Sequence, residues 1–291
     1  MDYEPLIITG PTASGKTSYS IKKALEQNGE IICCDSMQIY KKMDIGTAKA
    51  TAEERAAVPH HMLDFVEPWE EYSVADYCKA AETVYKDILS RGKTPIFVGG
   101  TGLYVTSIVE GYSYAEEEEE EVALRAQLEN RDAEELYAFL KENDPEAAAI
   151  THVNNKKRII RYVELFKKTG LTYSERAARS KSSEPFFKGK VIAVKMDRER
   201  LVERINLRVD MMIKEGLVEE TEELLKYCSN AGKTLSKTAF QAIGYRETMQ
   251  YLAGEISRDE MADKIKVATR QYAKRQMTWL RKWPWVEWVE M

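Results

Sequence analysis

The sequence predicts an α/β fold built on a parallel sheet, and three observations point to it. Short apolar runs at Leu6–Thr9, Glu30–Cys34 and Pro95–Val98 alternate with helical stretches in the N-terminal part of the chain. The connections between these runs are short, as strand–helix–strand units wrapped around a parallel sheet require. A later run, Val191–Val194, follows a long stretch with helical patterning only and reads as a strand rejoining the same sheet.

Taken in order, Leu6–Thr9 is a buried strand, and the helix after it is expected from about Lys16 to Gln27, closed near Gly29. Glu30–Cys34 is a second strand ending at Asp35. In the segment SVAD, Ser73 suits an N-cap with Asp76 at N3, a near capping box that opens a helix running to about Ser90. Pro95–Val98 is a strand ending in a glycine turn. The character changes at Glu116–Glu121, six consecutive glutamates, read as a solvated helix start without a catalytic role. Beyond it, Asp144 suits an N-cap with Pro145 at N1. Ile159, Ile160, Val163 and Phe166 share one helical face, and Lys181–Pro185 reads as a flexible exit. Residues 113–187 are therefore expected to form a helical insertion domain, with 1–112 and 188–291 making the core. After the returning strand the chain is expected to be mainly helical.

Composition narrows the functional classes. A chain of 291 residues with 44% apolar content can bury a substantial core as one large domain or two modest ones. The net charge of −5 argues weakly against nucleic-acid binding, but what counts is whether Lys and Arg gather on one face. Cys33, Cys34, Cys78 and Cys228 lack zinc-ligand spacing and read as reduced, mostly buried thiols. Acidic residues precede the first apolar run, which is short, so a signal peptide is not expected. No segment approaches the ~20 apolar residues that span a bilayer. A cytoplasmic protein with no membrane attachment is expected.

The chemistry-bearing motif is GPTASGKT, Gly10, Pro11, Thr12, Ala13, Ser14, Gly15, Lys16 and Thr17, between a strand and a helix. It fits the phosphate-binding pattern G-x-x-x-x-G-K-[ST]. The glycines let the backbone curl so that successive N–H groups face an anion, and the helix N-terminus adds favourable dipole charge. Lys16 supplies a point charge and Thr17 a hydroxyl for Mg²⁺. The plain alternative is a coincidental glycine-rich turn. The acid that phosphoryl transfer wants at the end of a later strand is missing, because Pro95–Val98 runs into Gly99-Gly100. The carboxylate at a strand end is Asp35 instead, a candidate to face the loop across the crevice at the carboxyl ends of the strands, or else a cap. Thr101, in GGTG, offers a hydroxyl from the same end, although that turn by itself is weak evidence.

The piece KIKVATRQYAKRQMTWLRKW carries concentrated positive charge, with no acid between Lys264 and Lys282. At ~100° per residue Lys266, Arg270, Lys274 and Arg281 fall in one stripe, and Ile265, Ala268, Tyr272 and Trp279 in another nearly opposite. The stripe suits a phosphate backbone, or is simply a solvated face over a buried one. Arg158 and Arg161 make a smaller patch in the insertion, with Arg125 counted beside them. Two such surfaces could grip a folded RNA. His60-His61 is expected to be a loop or packing feature rather than a metal site, and Trp283, Trp285 and Trp288 C-terminal core packing.

These segments together, with DSMQIY, DIGTAK (Asp44–Lys49), RINLRVD up to Asp210 and QAIGYRE (Gln241–Glu247), resemble the bacterial tRNA dimethylallyltransferases along nearly the whole chain. The resemblance implies a P-loop NTPase-like parallel sheet core with a helical insertion domain and a helical C-terminal part. It implies transfer of an isopentenyl-type group from dimethylallyl diphosphate to N6 of the adenosine immediately 3′ of the anticodon, with Mg²⁺. The loop would then hold a leaving group, its charge stabilised by the amides, Lys16, Mg²⁺ on Thr17 and Arg208, for which a surface ion pair is the alternative. Asp35 would take the N6 proton and Thr101 would fix the base. Ser36, Met37 and Gln38 would line the base pocket. Gln241, Gly244, Tyr245, Arg246, Lys274, Arg275, Gln276 and Arg281 carry over as tRNA-contacting positions. The enzyme is expected to act as a monomer. Other classes remain: an ATP-dependent small-molecule kinase, a non-catalytic RNA-binding module, and a prenyltransferase acting on free adenine nucleotides.

Overall fold

The computed structural model describes residues 4–111, 119–180 and 184–291. The chain forms two compact units, one of residues 1–109 with 186–291 and one of residues 110–185. In the first, β1 (Leu6–Thr9), β2 (Gly29–Cys33), β3 (His60–His61), β4 (Thr94–Val98), β5 (Lys190–Lys195) and β6 (Glu287–Glu290) pair in the order β3-β2-β4-β1-β5-β6. Every described pairing is parallel. The central strands read as continuous apolar runs because both faces are covered. Ile7, Ile32, Phe97, Val191 and Ala193 point into one core layer, and Leu6, Ile8, Ile31, Ile96, Ile192 and Val194 into the other.

Helices α1 (Lys16–Glu26), α2 (Ala52–Ala57), α3 (Val74–Ser90) and α4 (Gly102–Glu110) fill the connections. Ser73 and Asp76 close a full capping box on α3. The first helix does not close at Gly29. It ends at Glu26, Asn28 turns the chain with φ 49°, and Gly29 already pairs in β2, where a Cβ would meet Ile96 Cδ1 at 2.8 Å. His60-His61 is a strand rather than a loop: two residues show no periodicity in sequence, but they pair with Ile31 and Ile32. Its ring nitrogens are engaged by Val58 O and the Glu30 carboxylate, both at 2.7 Å. The helix α2 was not expected, although Thr51 and Glu54 form the capping box that would have signalled it.

In the second unit α5 (Glu119–Glu129), α6 (Ala133–Asn143), α7 (Pro145–Ala149), α8 (Lys156–Thr169) and α9 (Tyr173–Ser180) surround a core of Leu128, Leu136, Leu140, Ile159, Ile160 and Val163. Asp144 caps α7, accepting Ala147 N–H at 3.1 Å, with Pro145 at N1. The expectations for the glutamate run and for the exit segment fall, at residues 116–118 and 181–183, outside the described residues.

After β5 come α10 (Arg198–Lys214), α11 (Leu217–Asn230), α12 (Lys237–Phe240), α13 (Tyr245–Leu252) and α14 (Arg258–Leu280). The chain then departs from the expected helical ending, because β6 adds to the sheet edge beside β5. Only Trp283 of the three C-terminal tryptophans joins the core; Trp285 and Trp288 are 36% and 37% exposed. Glu220, on α11, locks the DIGTAK turn. Its carboxylate accepts the backbone N–H groups of Asp44 at 3.1 Å, Ile45 at 2.8 Å and Gly46 at 3.2 Å, and the Tyr245 hydroxyl.

Candidate active site

Three segments meet at the carboxyl ends of neighbouring strands: the loop after β1, the DSMQ segment after β2 and the GGTG turn after β4. Hydrogen bonds bind them side by side. Cys34 N–H donates to Val98 O at 2.7 Å, Gly99 N–H to Ile8 O at 3.2 Å and Thr101 N–H to Cys34 O at 3.4 Å. The two glycines of the turn are required by close approach, since a Cβ at Gly99 would lie 1.9 Å from Cys34 O and one at Gly100 2.0 Å from Gln276 Nε2. GGTG is thus more specific in the fold than its four letters suggest. No carboxylate could replace Gly99, which explains why the strand-end acid of phosphoryl-transfer sites is missing.

The loop itself is curled as its pattern requires, with φ of 148° at Gly10, 64° at Ala13 and 92° at Gly15. A left-handed alanine is uncommon and marks a backbone held from outside. Ala13 packs against Leu201 and Ile205 of α10 and Ala273 of α14, and Arg204 Nε donates to Ala13 O at 2.9 Å. Lys16 Nζ donates to Gly10 O at 2.9 Å and Pro11 O at 2.8 Å. Desolvation lowers its pKa to about 8; the nearby Asp35 charge works against that and the Arg208 charge adds to it. Arg208 reaches Thr12 Oγ1 at 3.5 Å, and its pKa is lowered by burial and then by Arg204. Among the described residues neither Lys16 nor Arg208 makes a salt bridge. Ser14 Oγ is fully buried and has no hydrogen-bond partner. Lys16, Arg204 and Arg208 thus bring three cations to the loop, the chemistry an anion site requires.

Asp35 faces this loop. Its Oδ1 accepts Met37 N–H at 2.9 Å, while burial raises its pKa above the ordinary carboxylate value. Thr101 Oγ1 accepts Ser36 N–H at 3.0 Å and approaches Ser36 Oγ at 3.3 Å. The structure therefore brings together Asp35, Ser36, Thr101, Lys16 and Arg208 around the loop. Among the described residues no group of three or more His, Cys, Asp or Glu could hold a metal. A Mg²⁺ here would be held by the Thr17 hydroxyl together with substrate phosphate oxygens and water.

Several sequence expectations change. Gln38 does not offer its amide to a base: Nε2 donates to Thr47 O at 3.0 Å and Ala48 O at 3.3 Å, and Oε1 lies 3.5 Å from Cys33 Sγ. Tyr245 is buried with its hydroxyl on Glu220, and Gly244 is buried beside it, so neither can touch RNA from its present place. Gln276 is 6% exposed and bonded within the protein. The basic stripe on α14 is also divided. Lys266 pairs with Asp210 at 2.6 Å and Arg270 with Asn206 Oδ1 at 2.7 Å, both on α10, leaving Lys274, Arg275 and Arg281 exposed. The buried face of α14 is Met261, Ile265, Ala273, Gln276 and Leu280; of the expected stripe Ile265 is buried, Ala268 and Tyr272 are half-buried, and Trp279 is 44% exposed. Gln241 and Arg246 are exposed, the latter paired with Glu247. In the helical unit Arg125 and Arg161 each reach the buried Glu164 carboxylate at 2.9 Å, and Arg158 donates to Tyr162 Oη at 2.9 Å. Arg204 was missed; its spacing of four from Arg208 puts both on one face of α10 and could have revealed it.

Fold and site together define a P-loop-type α/β protein in which a cation-bearing phosphate loop faces a strand-end carboxylate. The comparisons with known proteins narrow this. The family model described as IPP transferase matches residues 38–283, and that described as isopentenyl transferase matches residues 4–64. The chain belongs to the IPP transferase family, that of the tRNA dimethylallyltransferases. It is 45% identical to the tRNA dimethylallyltransferase of Carboxydothermus hydrogenoformans, covering 100% of this chain and 93% of that protein. The tRNA isopentenylpyrophosphate transferase of Bacillus halodurans is similar in structure, with a TM-score of 0.70, 39% identity and coverage of 99% and 90%. A eukaryotic dimethylallyltransferase acting on tRNA gives a TM-score of 0.80 at 29% identity, covering 98% of this chain and 73% of that one. Among the described residues no helix is long and apolar enough to cross a membrane.

Proposed function

We propose that the chain transfers the dimethylallyl group from dimethylallyl diphosphate to N6 of the adenosine immediately 3′ of the anticodon in tRNAs, releasing diphosphate. The observation that carries this reading is the curled phosphate loop with Lys16 and Arg208 set against the Asp35 carboxylate at the end of β2. Breaking the allylic C–O bond places negative charge on the diphosphate, where the loop amides, Lys16 and Arg208 stabilise it. Mg²⁺ on the Thr17 hydroxyl, when bound, neutralises part of the same charge.

An exocyclic amine is a poor nucleophile because its lone pair is delocalised into the ring. Asp35 accepts the N6 proton as the C–N bond forms, and its raised pKa brings it nearer to working pH. Thr101 and Ser36 supply hydroxyls beside it to orient the base. The target adenosine leaves its loop stack to reach this pocket. Lys274, Arg275, Arg281, Gln241 and Arg246 offer exposed contacts to the tRNA backbone. Arg125, Arg158 and Arg161 form a weaker patch because Glu164 and Tyr162 already engage them. The enzyme works in the cytoplasm as a monomer.

The test is incubation with dimethylallyl diphosphate, Mg²⁺ and unmodified tRNA, followed by nucleoside mass spectrometry. The expected product is N6-isopentenyladenosine; no mass gain on adenosine would sink the reading.

A further inference from the structure

The buried side chain of Gln276 has no part in the chemistry derived above, yet it sits where the site's segments converge. Its Oε1 accepts Thr12 N–H at 2.8 Å, inside the phosphate loop, and its Nε2 donates to Gly100 O at 2.9 Å, inside the strand-end turn. The two partners fix the amide's orientation, because a backbone N–H can only donate and a carbonyl can only accept. Gly100 is shaped to this contact, since any Cβ there would lie 2.0 Å from Gln276 Nε2. Tyr272, one turn earlier on α14, lies beside Thr101 and Gln276. The loop is thus held from one side by Arg204 of α10 and from the other by Gln276 of α14.

The geometry points to Gln276 as a positioning residue for the transfer reaction, a brace that sets the spacing between the diphosphate loop and the Gly100–Thr101 turn and touches neither substrate. It rests on the function proposed above. A loop with a left-handed alanine and an orphaned buried hydroxyl does not keep that shape unaided. Losing a brace lets its amides relax away from the anion, which weakens diphosphate binding before it affects RNA binding.

The test uses the full chain with Gln276→Met, which keeps volume but removes both hydrogen bonds, and with Gly100→Ala. Inorganic diphosphate and dimethylallyl diphosphate are titrated calorimetrically, and tRNA affinity is measured separately. Gln276→Met is expected to weaken both diphosphate ligands about tenfold, equivalent to two ordinary hydrogen bonds, with tRNA affinity unchanged. Gly100→Ala is expected to weaken them likewise in the parent chain. In a Gln276→Ala background it should add nothing further, because the clash is gone. Diphosphate affinity within twofold of the parent in Gln276→Met, loss of tRNA affinity instead, or an additive Gly100→Ala effect would each overturn the proposal. Retained tRNA binding by the variants serves as the folding control. Parent enzyme that modifies no tRNA would defeat the functional reading instead, whatever the variants do.

Discussion

The two basic regions of this protein treat charge in opposite ways. At the strand ends Lys16 and Arg208 are desolvated, lie near each other and make no salt bridge among the described residues. In the helical unit Arg125 and Arg161 converge on one buried carboxylate, Glu164, whose side chain is 2% exposed. The first arrangement is costly until an anion arrives, and so it selects for one. The second already has a carboxylate built in, shared by both arginines, and mainly holds α5 to α8. Cations that look alike in sequence differ in whether their partner is built in or must bind.

That contrast can be broken most forcefully at the base. Asp35→Asn keeps an acceptor for Met37 N–H but cannot take a proton, and should lower kcat by about 10²–10⁴. tRNA affinity should stay within about twofold in a filter-binding assay; lost binding with normal single-turnover chemistry would remove Asp35 from the role of base. Next in size, Lys16→Met should lower kcat by about 10²–10³, while Arg161→Gln should leave single-turnover rates unaltered. Equal losses in rapid-quench measurements would erase the distinction between the two regions.

The pH profile sharpens the contrast further. Lys16 titrates near 8 in the free protein, and only its protonated form attracts the diphosphate. kcat/KM for dimethylallyl diphosphate should therefore fall as pH rises through about 8, and ligand binding above that pH should take up protons, visible as a buffer-dependent heat. On the acid side, protonation of Asp35 should lower kcat/KM at a higher pH than an exposed aspartate would. A flat profile between pH 7 and about 10 would mean Lys16 is not the binding cation.

The smallest effect concerns RNA. Neutralising Lys274 and Arg281 should flatten the salt dependence of tRNA binding by roughly one unit of slope per charge. Neutralising Arg125 and Arg161 should change the slope less and lower thermal stability more, since Glu164 would remain buried without a cation. A reversed order would make the helical unit the main RNA grip.

The sheet was readable because strands buried on both faces are continuous apolar runs, and β1, β2, β4 and β5 are all of that kind. β3 and β6 were not, because one is two residues long and the other lies at an edge with Glu287, Trp288 and Glu290 exposed. The loop, Asp35 and Thr101 were legible as motif residues at strand ends. The roles of Gln276, Tyr245 and Gln38 were not, because a polar side chain on a helix or turn reads the same whether it meets RNA or a distant backbone amide. On α14 the simple alternation of basic and apolar stripes failed for a related reason: the acid that pairs Lys266 belongs to another helix.

Glu220 has one more consequence. The turn at Asp44–Gly46 presents its backbone N–H groups to a carboxylate of its own chain, whereas among the described residues Lys16 and Arg208 at the loop make no salt bridge. A buffer anion such as sulfate or inorganic phosphate should therefore compete for the loop and not for the turn. In such buffers inhibition should be purely competitive against dimethylallyl diphosphate, and the choice of buffer salt will set the apparent KM.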